Sequence, residues 1–286
     1  MNKSVFSELY YTAFRSGNPS YTLIAVNVLI FLVVAVAAVV DRLSGTAIWP
    51  VLSDMLAMPS GLGRLLFRPW TLFTNMFVHF EVFHLLFNML WLYWMGNIFL
   101  DFLNNRQFLF TYLAGGLLGS ICFLAIYNLV PSFAQQETLL IGASGCIYAV
   151  VAGAATLVPD YTIRLLFFGN VRLKYLAIAF TVLSVIGLGG GNVGGNVAHL
   201  AGALFGFIYI KQLQRGNDWS KMFKRKKTRR LKVVINERPS QKREQGRTTF
   251  SNQEYIDSIL DKISKSGYAS LSKEEKDALF KASKQD

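Results

Sequence analysis

The chain has 286 residues, 52% of them hydrophobic and only 16% charged, whereas a soluble globular protein carries charge on about 25% of its residues. Its net charge of +12 suits nucleic acid in principle. Most of the excess, however, falls in one run from Lys221 to Lys232, just beyond the last apolar stretch. Basic residues in that place fix membrane orientation and meet anionic lipid headgroups, so membrane lipid is expected as a partner and nucleic acid is not.

The first 20 residues lack a short apolar core with a cleavage site behind it. No cleaved signal peptide is therefore expected, and the first apolar span stays in the protein. A spanning helix needs about 20 mostly apolar residues. Runs of that kind lie near residues 22–40, 72–100, 107–130, 139–158, 174–190 and 194–212. They predict an all-α, polytopic membrane protein with six transmembrane helices. The 41–70 loop mixes Arg42, Arg64 and Arg68 with Trp49, Leu52 and Trp70 and reads as an interfacial segment.

With six spans, both termini share one face. The basic stretch after Ile210 marks that face as cytoplasmic, and Arg106, Arg164, Arg172 and Lys174 fall in loops on the same side. The 131–138 and 189–195 loops carry no Lys or Arg. The expected location is therefore a cell inner (cytoplasmic) membrane, crossed several times, with both termini cytoplasmic. Three regions are predicted: a membrane domain over 1–212, a basic flexible linker over 213–250, and a small cytoplasmic helical hairpin over 251–286. In the hairpin, Tyr255, Ile256, Ile259 and Leu260 recur at helical spacing, Gly267 is a stop signal, and Ser272 with Glu275 forms a capping box. So small a unit calls for a partner surface, as yet unidentified.

Cys122 and Cys146 lie in apolar stretches at a spacing that fits no zinc or disulfide framework, and read as small buried hydrophobes. No metal or cofactor is expected, since the chain has neither an HExxH run nor a phosphate-binding glycine loop. The three histidines, His79, His84 and His199, all sit in apolar stretches. Ionisable groups there are costly and point to function, the alternative being a structural imidazole bonded to nearby backbone.

The run IGASGCIYAVVAGA sets Ser144 among glycines after a loop. A serine hydroxyl needs a base to become a nucleophile. Gly142 and Gly145 would let a substrate carbonyl approach the backbone and leave N–H groups free near a helix start. The competing reading is a packing face of small residues, Gly145, Ala149 and Gly153. In GGNVGGNVAHLAGALFG, Ala198, Gly202 and Gly206 recur every four residues beside His199. If this helix packs on the Ser144 helix through small residues, His199 reaches the serine. No Asp or Glu lies between Lys174 and Lys211, so a Ser–His dyad is expected rather than a triad. His84 and Asn88, one helical turn apart in HLLFN, are donors suited to an oxyanion, or else a polar pair joining two helices.

HLLFN, GASG and AHLAG, in this order on separate apolar spans, resemble the rhomboid family of intramembrane proteases over roughly residues 20–212. The resemblance implies a six-helix bundle and a serine endopeptidase that cuts peptide bonds in or beside transmembrane segments of membrane proteins. It implies Ser144 as nucleophile and His199 as base, with His84, Asn88 and the Ser144 N–H as oxyanion hole. It also implies that Tyr148 stacks on His199 and that His79 is structural. The chain departs from the family in its first outer loop. There Thr71 follows Trp70 and Arg68 precedes it, in place of the common Trp-Arg pair.

Overall fold

The computed structural model describes residues 4–134, 136–165, 169–222 and 252–283. They fall into two units, one within Met1–Arg225 and one within Lys226–Asp286.

The first unit opens with α1 (Val5–Tyr10) and α2 (Pro19–Ser44). Asn18 starts α2 by accepting from the Ser20 N–H, and Pro19 takes a first-turn position where no N–H is needed. Gly45, at φ 69°, ends it in the left-handed conformation that glycine adopts freely. Next come α3 (Ile48–Leu56), the strand β1 (Met58–Pro59), α4 (Leu62–Phe67) and α5 (Thr71–Thr74). The 41–70 loop is therefore largely helical. Asp54 anchors it through ion pairs with Arg64 and Arg68, while the Trp70 indole donates to the Met55 carbonyl at 2.8 Å.

The bundle proper comprises α6 (Val82–Phe102), α7 (Asn105–Leu129), α8 (Ser144–Leu157), α9 (Leu173–Gly187) and α10 (Val193–Gln214). Among the described residues, four helices are long and apolar enough to cross a membrane: α2, α6, α7 and α10. The apolar helices α8 and α9 have only 14 and 15 residues, a length of roughly 21–23 Å at 1.5 Å per residue. The run predicted over 72–100 is also divided. Its chain passes from α5 through a 3₁₀ turn at Asn75–Phe77 to extended backbone at Val78 before α6 begins. The Asn75 side-chain amide donates to the carbonyls of Thr71 (2.7 Å) and Leu72 (2.9 Å), satisfying the helix end where it stops.

The all-α expectation needs a further correction, because two short antiparallel pairings are present. β1 pairs with β2 (Leu139–Leu140), and β3 (Thr162–Leu165) pairs with β4 (Gly169–Arg172) between α8 and α9. Backbone groups of the paired strands bond each other, and elements this short carry no periodic hydrophobic signal.

Helices α7, α8 and α10 meet through small residues. A Cβ added at Gly202 would collide with the Gly145 carbonyl, and one at Gly206 with the Ala149 carbonyl. One at Gly119 would lie 2.9 Å from the Ala198 carbonyl. Main chain thus packs on main chain, the association mode that lipid favours when apolar burial gives no advantage. Phe99, Phe108, Tyr112 and Tyr209 fill the wider spaces and are fully buried. At one end a clasp joins α7 to the segment after α10. The Asp218 carboxylate accepts from Arg106 (2.9 Å), Gln107 (3.2 Å) and the Tyr209 hydroxyl (3.1 Å).

The second unit contains α11 (Asn252–Ser266) and α12 (Lys273–Ala282). Gly267, at φ 76°, breaks between them, and Ser272 and Glu275 cap α12 reciprocally. Ile259 and Leu271 are buried, and Lys262 bonds Glu275 at 2.8 Å. Of the segment expected as a linker, residues 223–250 lie outside the described residues.

Candidate active site

The seam between α8 and α10 decides where the reactive groups stand. Ser144 is the first residue of α8, and His199 lies on α10 one turn before Gly202. With the two backbones in contact, His199 Nε2 comes to 2.7 Å from Ser144 Oγ. The Tyr148 ring, one turn after Ser144, lies flat on the imidazole at a centroid distance of 4.3 Å and an angle of 10°.

The other face of the imidazole system was not legible beforehand. Ser184, buried on α9, has its hydroxyl 3.4 Å from His199 Nδ1 and donates to the Tyr148 hydroxyl at 3.0 Å. The Tyr148 hydroxyl donates in turn to the Phe180 carbonyl at 3.4 Å. Read in one direction, this chain accepts a proton bond from Nδ1–H and leaves Nε2 as the acceptor facing Ser144. No carboxylate is hydrogen-bonded to His199 among the described residues. The only hint in the sequence was one serine in the apolar run AIAFTVLSVIG.

The loop before Ser144 is held from below. The Gly142 N–H donates to the Asn75 carbonyl at 2.9 Å, and the Ala143 N–H to His79 Nε2 at 3.4 Å. Asn88 Nδ2 donates to the same His79 nitrogen at 3.0 Å. His79 therefore organises both the loop and Asn88, and Asn75 is a second support that sequence reasoning missed. Gly142 adopts φ 106°, and a Cβ there would sit 2.7 Å from the His84 ring and 3.8 Å from Asn88 Nδ2. His84, Asn88 and Gly142 thus border one small space beside Ser144. No side chain caps α8 at Ala143, so its first turn, which begins at Ser144, presents N–H groups without a side-chain cap and the positive end of the helix dipole.

Above the serine lies a cavity of about 510 Å³, lined among others by Phe80, Glu81, Leu140, Ser144, Asn192 and His199. It could admit an extended chain and water to the Ser144 hydroxyl. A strong nucleophile–base contact, donors set around the adjoining space and an open approach together suit acyl transfer.

Comparison with known proteins identifies the family of the membrane domain. A Rhomboid domain matches residues 67–215, and a family of unknown function (DUF6576) matches residues 248–285. Human presenilin-associated rhomboid-like protein, mitochondrial, is 30% identical over 154 residues, covering 51% of this chain and 38% of that protein. The bovine protein of the same name is 30% identical over 158 residues, with the same coverage. RHOMBOID-like protein 12, mitochondrial, of Arabidopsis thaliana is 29% identical over 161 residues, covering 52% of this chain and 48% of its own. The chain thus spans less than half the length of these relatives.

These relatives overturn one expectation. All three are named as mitochondrial proteins, which speaks against the cell inner membrane with cytoplasmic termini expected from the sequence. The physical reason is plain: Lys and Arg asymmetry ranks the two faces of a membrane and carries no information about which membrane it is.

Proposed function

The chain belongs to the rhomboid family, and from that premise we propose that it is an intramembrane serine endopeptidase cleaving peptide bonds in or beside transmembrane segments of other membrane proteins. The observation that carries the reading is the 2.7 Å contact between His199 Nε2 and Ser144 Oγ beneath an open cavity.

In the proposed reaction, Ser144 Oγ attacks the scissile carbonyl as His199 Nε2 takes its proton. The developing oxyanion is met by the Ser144 N–H, His84 and Asn88, which act mainly in the transition state. His199 then gives its proton to the leaving amine. Water entering through the cavity hydrolyses the acyl-enzyme by the same route. The stack of Tyr148 and the hydroxyl of Ser184 hold the imidazole to one orientation and tautomer, the part a carboxylate plays in a triad.

The membrane reading takes α8 and α9 as spans alongside the four longer helices, making six. Short helices are tolerated where loops continue them inside a bundle, since backbone off the helix is admissible when protein or a water-filled cavity covers it. α8 starts at the reactive serine, and on this reading the 136–143 segment before it continues the crossing. The second unit is proposed to bind a partner and to take no part in the chemistry.

The test is a serine-reactive fluorophosphonate on the purified protein, together with labelled transmembrane peptides. Wild type is expected to be labelled and to cleave, and Ser144→Ala to do neither. Equal labelling of Ser144→Ala would remove the assignment.

A further inference from the structure

On the flank of the bundle, α8, α9 and α10 enclose a second groove of about 650 Å³, separate in its lining from the Ser144 cavity. Ala155, Ala177, Ile178, Leu200 and Leu204 line it, with Lys174 and Lys211 at one end. Its small residues leave the space, and Ile178, Val182 and Leu204 are exposed along it. From this shape and charge we infer that the groove is a binding site for an anionic phospholipid, with an acyl chain along the groove and the headgroup phosphate at the two lysines.

Three observations carry the assignment. The first is length. The lining runs from Lys174 to Val182 on α9 and from Leu200 to Lys211 on α10, roughly 12–17 Å at the rise of a helix. Half of a hydrocarbon core of about 30 Å is the depth of one leaflet, so the groove accommodates a chain from one leaflet and stops.

The second is polarity. The two lysines stand together at the ends of α9 and α10 that adjoin the β3–β4 hairpin, where a lipid phosphate would lie. The charges bordering the groove's end are Lys174, Arg172 and Lys211 against Asp160, with Arg164 on β3 and Arg215 at the close of α10 adding to the positive side. Asp160 bonds Lys174 at 2.7 Å and Arg172 at 3.2 Å, which leaves the end positive by at least two charges. Lys211 Nζ rests 6.0 Å from the centre of the Phe207 ring, and Phe207 also lines the groove.

The third is supply. An apolar groove that faces acyl chains is filled by mass action, because an unfilled one forfeits dispersion contacts along its walls. The lysines then select among headgroups at about fivefold for each basic residue.

The inference rests on the reading of α8, α9 and α10 as membrane-embedded. That reading fails separately, if the protein is soluble without detergent. The experiment titrates the purified full-length protein in micelles with phosphatidylglycerol or phosphatidylcholine of identical chains, counting retained lipids by native mass spectrometry. Phosphatidylglycerol is expected to bind about tenfold or more tightly than phosphatidylcholine. Lys174→Gln combined with Lys211→Gln should bring the two lipids level. Ala177→Phe, which fills the groove without changing charge, should displace both. A photo-crosslinker at Ile178 should capture lipid. Equal affinity of wild type for the two lipids, unchanged selectivity in the double variant, or capture at Ile178 of a second copy or a peptide helix instead of lipid would each overturn the assignment. Competition by soluble glycerol phosphate alone would overturn it too, since the headgroup would then suffice without the groove.

Discussion

Gly202→Ala probes the seam that sets the active-site distance. The new Cβ would overlap the Gly145 carbonyl, a main-chain group with no rotamer through which to yield, and real Cβ atoms essentially never come within 3.0 Å of such an atom. α10 must therefore back away from α8 by about 1 Å, an overpacking expected to cost about 1–3 kcal/mol of stability. Ser144 adjoins Gly145, and His199 lies one turn from Gly202. The 2.7 Å contact between them would stretch to roughly 3.7 Å, beyond a hydrogen bond. A displacement of about 1 Å at reacting groups lowers turnover by about 10²-fold. The assay is cleavage of a fluorogenic transmembrane peptide in micelles, paired with thermal unfolding. Gly191→Ala is the control, since a Cβ there meets nothing within 4 Å. A folded Gly202→Ala protein cleaving at the wild-type rate would refute the argument that backbone contact sets the catalytic spacing.

Further outcomes are expected at other positions. Ser144→Ala and His199→Ala should each abolish peptide cleavage while leaving unfolding unchanged, and the double variant should be no worse than either single one; additive losses would show that the two groups act separately. Ser184→Ala should slow cleavage roughly fivefold, the worth of about 1 kcal/mol for one hydrogen bond, with an altered pH–rate profile that Ser184→Thr restores. An unchanged profile would reduce Ser184 to packing. For Asp54, the hydrogen bond from Arg68 leads the Arg64 and Arg68 charges in holding the carboxyl below its ordinary range against burial. A lowered folded pKa adds stability that is present above about pH 4 and lost as pH falls through the lower folded value. Tm should therefore drop on acidification below about pH 4, and drop less in Asp54→Asn; equal acid sensitivity of the two would place the anchor elsewhere.

How much of this was legible in the sequence depends on the range of each signal. Rows of small residues at fourfold spacing, such as Ala198–Gly202–Gly206, state directly that one helix face accepts a close neighbour. The approach of His199 to Ser144 follows once two such faces are paired. Helical spacing sets Tyr148 one turn from Ser144, but its stacking on His199 was implied by the family resemblance and not by the spacing. The Asn75 support for Gly142 was hidden, since its effect comes through a main-chain carbonyl that every residue possesses. Ser184 was hidden for a different reason: its partners lie on α8 and α10, and nothing in the α9 pattern marks which face meets them. The break between α5 and α6 escaped notice because hydropathy averages over a window longer than the Val78–Glu81 segment. The localisation failed because charge asymmetry reports orientation only.

The clasp at Asp218 has a mechanical consequence. Its carboxylate gathers bonds from Arg106, Gln107 and Tyr209, and Arg106 Nε also donates to Ser220 at 2.9 Å. A pull on the chain beyond Ser220 therefore meets this knot first, and the load passes sideways into the opening turn of α7 and into Tyr209. The share taken by α7 does not run along the axis of α10, where it would slide Gly202 past Gly145 and draw His199 off Ser144. The knot is a strain relief: until the bonds at Asp218 give way, α7 shares whatever force tugs at the chain beyond it, and the register of the two reactive helices bears only the remainder.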